Sequence, residues 1–240
     1  MELTGRKALV TGAALRVGRE IALELARAGA TIYLHYRSSE EPARRTAEEI
    51  RALGAGAVLV RGDLADPREV ERVAEECRDA DVLVNSASVF PRTPLRDATV
   101  EGFDGIMAVN VRAPFFLART MGLAMRARGS GVIVNIADWS GYRPHANYLP
   151  YCMSKAALLA MNSGLARILA PEVRVNAVAP GPVMLPADMD EDLRRRVIAS
   201  TPLGREGSPT DVARAVRFLV DGSDYITGAV LAVDGGRLIA

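Results

Sequence analysis

Seven short runs rich in apolar and β-branched residues recur along the chain, at 8–11, 31–36, 57–61, 81–85, 131–136, 173–178 and 229–233. Between them lie longer stretches, 17–28, 42–53, 67–77, 111–127, 151–169 and 209–220, whose apolar residues repeat every three or four positions. The runs have strand length and the stretches are long enough for crossover helices, so the pattern predicts parallel β-α-β units. Strands that are apolar almost throughout must be covered on both faces, which puts helices on either side of one sheet. No linker, repeat or low-complexity tract interrupts the alternation, and 1–240 reads as one doubly wound α/β domain.

Regularity lapses only at 180–208, where Pro180, Pro182, Pro186 and Pro202, with Pro209 just beyond, surround a charged helix candidate at 188–200. This stretch follows the sixth strand at the carboxyl edge of the sheet, where doubly wound folds bind ligands, and is expected to act as a substrate lid. A plain surface connection is the alternative. Lys and Arg total 30 against 29 Asp and Glu, a balance that offers no field for nucleic acid or an anionic membrane and points to a small-molecule partner. With no apolar run of membrane-spanning length and no leader-like start, a cytoplasmic location is expected. Cys77 and Cys152 lie far apart and suit buried thiols better than a disulfide or zinc site; no metal is expected.

After the first run, Thr11-Gly12-Ala13-Ala14-Leu15-Arg16-Val17-Gly18 forms a turn that opens a helix, where backbone N–H groups and the helix dipole can hold a pyrophosphate. Arg16 stands where a middle glycine would be expected and places a guanidinium beside the phosphates. The second run ends His35-Tyr36-Arg37-Ser38, with no acid to bind an adenosine ribose. Arg37 and Ser38 instead suit a 2′-phosphate, so NADPH is the expected cofactor. Asp63 can accept from the adenine amino group or cap the helix that follows.

Tyr151 and Lys155 lie four apart at a helix start, on one face. A lysine beside the phenol is expected to favour phenolate and lower the tyrosine pKa. Lys155 is one of two lysines in a chain otherwise served by arginine, which marks it for a compact ammonium.

The glycine-rich turn, Asn85-Ser86-Ala87-Ser88, Asn110, Tyr151 with Lys155, and Pro180-Gly181-Pro182 occur in the order of the short-chain dehydrogenase/reductase family, which the chain resembles throughout its length. The resemblance implies a single-domain Rossmann fold with seven parallel strands in the order 3-2-1-4-5-6-7, usually in a homotetramer. It implies Tyr151 as proton donor, Lys155 on the nicotinamide ribose and Asn110 supporting a proton relay through water. Cofactor contacts are implied for Gly12, Arg16, Val17, Gly18, His35, Tyr36, Arg37, Ser38, Asp63, Leu64, Asn85, Ser86, Ala87, Tyr151, Lys155, Pro180, Gly181 and Val183.

Thirteen residues before the tyrosine, where most of the family has serine, stands Asp138; Ser140 is two positions late. Asp138, Arg16, the His35–Ser38 stretch and the segment from Ser88 through Phe90 to Leu95 resemble the pteridine reductase branch. In that branch the counterpart of Phe90 stacks on the pterin and that of Ser88 binds polar atoms of pterin or cofactor. The expected substrate set is therefore Ser88, Phe90, Asp138 and Tyr151, and the expected activity NADPH-dependent reduction of a dihydropterin or dihydrofolate. An NADPH-dependent carbonyl reductase of 3-oxoacyl thioesters or other ketones is the first alternative, and a non-catalytic NADP(H)-binding sensor the second. Arg237 is a candidate for reaching a neighbouring subunit's site, or a solvated terminal arginine.

Overall fold

In the computed structural model, which describes residues 1–185 and 189–240, the strands are β1 (Lys7–Val10), β2 (Thr31–Tyr36), β3 (Ala57–Arg61), β4 (Val82–Asn85), β5 (Gly131–Ile136), β6 (Val173–Pro180) and β7 (Val230–Val233). All pair in parallel, in the order β3-β2-β1-β4-β5-β6-β7. Side chains alternate across the sheet: Ala8, Val10, Val82, Val84, Val132 and Val134 join one core, while Leu9, Leu83 and Ile133 join the other. The first core is closed by helices α1 (Arg16–Arg27), α2 (Glu40–Ala52) and α8 (Pro209–Arg217) through Ile21, Leu25, Ile50 and Val216. The second is closed by α3 (Pro67–Glu76), α5 (Ala113–Ala127) and α6 (Leu149–Leu169) through Val73, Leu117, Met121 and Leu169. The doubly wound single-domain fold expected from the sequence is thus observed.

Three local differences bear on the site. Helix α4 (Val100–Met107) was not anticipated, because Gly102 and Gly105 break its pattern; the Thr99 hydroxyl caps it by accepting from the Gly102 amide at 3.1 Å. A π turn, Ala108–Arg112, runs from α4 into α5 and carries Asn110. In 180–208 the helix is α7 (Glu191–Ala199), three residues later than expected; Pro186 and Asp188 lie outside the described residues. Both cysteines are buried and free, and among the described residues no helix is long and apolar enough to cross a membrane.

Candidate active site

The ends of β1, β4, β5 and β6 lie side by side, so the segments that follow them share one edge. Gly12 takes φ +66°, and a Cβ there would sit 3.0 Å from the Ala87 Cα; at Gly18 a Cβ would come within 2.4 Å of the Gly12 carbonyl oxygen. The turn, the helix start and the β4 loop therefore pack too closely for any side chain at either position. Thr11, which sequence reasoning left without a role, ties them together: its hydroxyl oxygen accepts from the Ser86 and Ala87 amides at 2.9 and 3.0 Å.

His35 braces the turn from beneath. The Gly12 amide donates to its Nδ1 at 3.2 Å, and its Nε2, which must carry the proton, donates to the Gly62 carbonyl at 3.1 Å. Burial pushes the His35 pKa down to about 4, so the ring is neutral. At 2% exposure the His35 side chain supports the loop from within, and Tyr36 is buried beside it. Arg37 and Ser38 are exposed at the end of β2.

Arg16, at φ +54°, does not stand free beside the turn; it reaches across and donates to the Met184 carbonyl at 2.7 Å. Val17 packs on the core. The first turn of α1 has neither a side-chain cap nor an acidic residue, so its amides remain donors for an anion. Asp63 is exposed and accepts from the Ala65 amide at 2.9 Å; Asp66, not Asp63, caps α3, and Leu64 is buried. Pro180 ends β6, Gly181 lies against Asp234 where a Cβ would meet its Cα at 2.6 Å, and Val183 bridges to Gly207. Amide donors without acids at one end and Arg37 with Ser38 at the other fit a phosphorylated nicotinamide dinucleotide.

Asn85 lies inside the sheet, donating to Asn135 at 2.9 Å, which in turn donates to Asn162 at 3.1 Å. Asn110 uses its whole side chain as a clamp. Its Oδ1 accepts from the Val89 amide at 2.9 Å and lies 3.2 Å from the Ser88 hydroxyl; its Nδ2 donates to the Val89 carbonyl and the Ser154 hydroxyl, each at 3.0 Å. The π turn is what points this side chain at the β4 loop. Here Asn110 holds Ser88 and its neighbour in place, a positioning task.

Asp138 follows β5 and caps the single turn Trp139–Gly141. One carboxylate oxygen accepts from the Ser140 amide at 2.8 Å, which aims the other at Tyr151, whose hydroxyl donates to it at 3.0 Å. One turn along α6, the buried Lys155 donates to the Ile136 carbonyl at 2.9 Å and lies 5.5 Å from the Tyr151 ring centroid. Burial pulls the Lys155 pKa down to about 8. The expected lowering of the tyrosine pKa by Lys155 is reversed: burial, then the charge and hydrogen bond of Asp138, push it well above its ordinary value. Tyr151 is accordingly a protonated donor at neutral pH.

Phe90 is 55% exposed. It stacks on Tyr148 with centroids 4.3 Å apart and meets the Tyr151 ring edge-on at 4.4 Å, so an aromatic surface borders the phenol. Tyr148 was not foreseen; lying three residues before Tyr151, it is the residue that fixes Phe90. Farther out, the Arg237 guanidinium lies 5.1 Å over the Trp139 ring of its own chain.

A family model described as enoyl-(acyl carrier protein) reductase matches residues 12–237. The chain belongs to the short-chain dehydrogenase/reductase family. Among its relatives in this family, the 3-oxoacyl-acyl-carrier-protein reductase of Staphylococcus aureus is 32% identical over 98% of this chain and 99% of its own. A candidate NAD(P)-dependent gluconate 5-dehydrogenase from Beutenbergia cavernae, solved with bound NADP, is 37% identical with a TM-score of 0.94 and covers 100% of this chain and 99% of its own. The angucycline C-6 ketoreductase LanV, also with NADP, is 32% identical with a TM-score of 0.93 and covers 100% and 98%. As a member, the chain is a short-chain oxidoreductase; the three relatives are named for a 3-oxoacyl group, gluconate and an angucycline, not for a pterin.

Proposed function

We propose that this oxidoreductase uses NADPH to reduce a C=N bond in a flat, dihydropterin- or dihydrofolate-type ring, and the hydrogen bond from Tyr151 to Asp138 carries that reading. A ketone oxygen gaining negative charge is stabilised by donors, and the usual second donor is a serine hydroxyl. An ionised carboxylate only accepts and would repel that oxygen. Beside ring N–H groups the same carboxylate is complementary, and the exposed face of Phe90 offers a surface for the ring.

When bound, NADPH supplies the hydride. Tyr151 supplies the proton, directly or through Asp138, and Asn110 fixes the loop that carries Ser88 and Phe90. Lys155, with one ammonium hydrogen committed to Ile136, has two left for ribose hydroxyls. A non-catalytic binding role would need neither the aimed carboxylate nor the buried phenol.

The second reading is reduction of a carbonyl, such as a 3-oxoacyl thioester or a polycyclic ketone. The likeness to the Staphylococcus aureus reductase and to LanV supports it better than it supports a pterin. A substrate panel decides between them. The expected result is NADPH oxidation with dihydrobiopterin or dihydrofolate and none with acetoacetyl thioesters; the opposite pattern assigns the carbonyl reading. Tyr151→Phe is expected to cut turnover by at least about 10²-fold on the accepted substrate while NADPH affinity is kept. Arg37→Asp is expected to move preference toward NADH, and equal use of both cofactors by the unmodified protein overturns the role given to Arg37.

A further inference from the structure

A line of buried amides runs beneath the site. Asn85 and Asn135 are register partners on β4 and β5, and Asn85 donates to Asn135 at 2.9 Å. Asn135 donates to Asn162 on α6 at 3.1 Å, and Asn162 donates to the Ala229 carbonyl at 3.3 Å. That last acceptor is itself fixed: the Ala229 carbonyl also accepts from the Ala177 amide at 2.9 Å, and the Ala229 amide donates to Asn176 at 3.0 Å. Asn135 and Asn162 are fully buried and Asn85 nearly so. Leucine is close to asparagine in size, so filling the space would not call for amides here; what amides add is direction.

Helix α6 is bonded to β5 and the residues just after it in reverse order, as two antiparallel elements must be. Tyr151 meets Asp138, Lys155 meets the Ile136 carbonyl, and Asn162, two turns farther along the same buried face, meets Asn135. The first two contacts use groups that the reaction needs, the phenol proton and the ammonium hydrogens. The third joins atoms that touch neither substrate nor cofactor, so it stays made while the other two are in use.

We infer that Asn162, acting through Asn135, is a positioning residue that fixes the rotation and height of α6 on β5, and with them the aim of Tyr151 at Asp138 and of Lys155 at Ile136. The inference rests on the proton-donor role proposed for Tyr151. Without the amide at 162, the buried Asn135 donor loses its acceptor and the helix can turn or slide to relieve it. A displacement of about 1 Å at the phenol can cost about 10²-fold in rate.

Asn162→Leu keeps the volume and removes the amide. On whichever substrate of the panel above is turned over, kcat per folded molecule is expected to fall at least about ten-fold. NADPH affinity, read from cofactor fluorescence, should change less than about three-fold, because the glycine turn is untouched. Loosened from Asp138, Tyr151 should lose its proton more readily, so the alkaline limb of kcat moves to lower pH. That shift should vanish in an Asp138→Asn background, since both changes act through one contact. Asn162→Asp is the conservative variant: protonated in its buried site it keeps one donor and one acceptor, so kcat should return at low pH and fall as the carboxyl ionises. Should Asn162→Leu not fold, this variant carries the test alone. Unaltered kcat per folded molecule in Asn162→Leu, a limb shift that simply adds to that of Asp138→Asn, or a profile for Asn162→Asp that overlays the unmodified one overturns the inference. Retained turnover in Tyr151→Phe would refute the donor role instead, and the positioning is then read without turnover, from hydrogen exchange of the amides at 152–156. Asn162→Leu should speed that exchange at least about ten-fold while the amides of α1 and α5 keep their rates; no selective increase overturns the positioning role.

Discussion

A tyrosine buried beside a carboxylate holds its proton more tightly than a tyrosine beside an ammonium, and Asp138 makes that difference here. Both burial and the Asp138 charge hold the Tyr151 pKa well above its usual value, so the phenol keeps its proton through the neutral range and loses it only at alkaline pH. Asp138→Asn keeps the shape and removes the charge. The alkaline limb of kcat is then expected to move to lower pH, with the part of the shift that burial causes left in place. Asp138→Ser, which restores a donor, should raise ketone reduction relative to reduction of a C=N bond. A pH profile for Asp138→Asn that overlays the unmodified one would show that the carboxylate charge does not reach the phenol. The sequence exposed Tyr151, Lys155 and Asp138 by spacing, yet inverted the electrostatics. Proximity to Lys155 was legible, but its commitment to the Ile136 carbonyl and the aim of Asp138 depend on where β5 ends.

Elements carry the next level of control, and the clearest instance is β2 supporting the glycine turn through His35. The folded His35 pKa, about 4, lies below its unfolded value near 6.5. Between those values the unfolded chain binds a proton that the folded one does not, so stability falls as pH drops through that window. The loss amounts to about 3 kcal/mol once pH 4 is reached. His35→Gln retains an acceptor and a donor without the titration, and urea unfolding at pH 7 and pH 5 should show a smaller difference for the variant. Equal differences would remove His35 from the acid response. Sequence periodicity placed β2 and its crossover helices well because their buried faces are mostly apolar. It missed α4, whose glycines hide it, and the π turn that aims Asn110, because one inserted residue leaves no periodic trace. The resemblance implied a cofactor contact for His35; its place under the glycine turn depends on the loop folded over it, which shows only in three dimensions.

At the scale of the whole molecule, the segment from 180 to 208 follows β6 at the edge of the sheet where the candidate site residues lie. Its described parts are tied at several points: Arg16 to the Met184 carbonyl, the Gly207 amide to the Pro182 carbonyl at 2.9 Å, and Glu206 both to the Leu185 amide and to Arg194 at 2.9 Å. Glu206 is thus the residue through which helix α7 and the start of the segment are held together. The proline content marked this region as irregular, but an acid twenty-one residues from its amide partner has no signature in sequence. If the segment closes over substrate, loosening it must weaken binding more than it weakens the fold. Glu206→Ala is expected to raise KM for substrate and for NADPH by about three- to ten-fold, the effect of losing one charged hydrogen bond. Proteolysis within 189–200 should accelerate, while the unfolding temperature shifts by no more than about 4 °C, since the core on both sheet faces is untouched. Glu206→Gln, which keeps the acceptor for Leu185 but loses the charge facing Arg194, should lie between. Should Glu206→Ala leave both KM values and the cleavage rate as they were, the segment is a fixed connection and access to Tyr151 is controlled elsewhere.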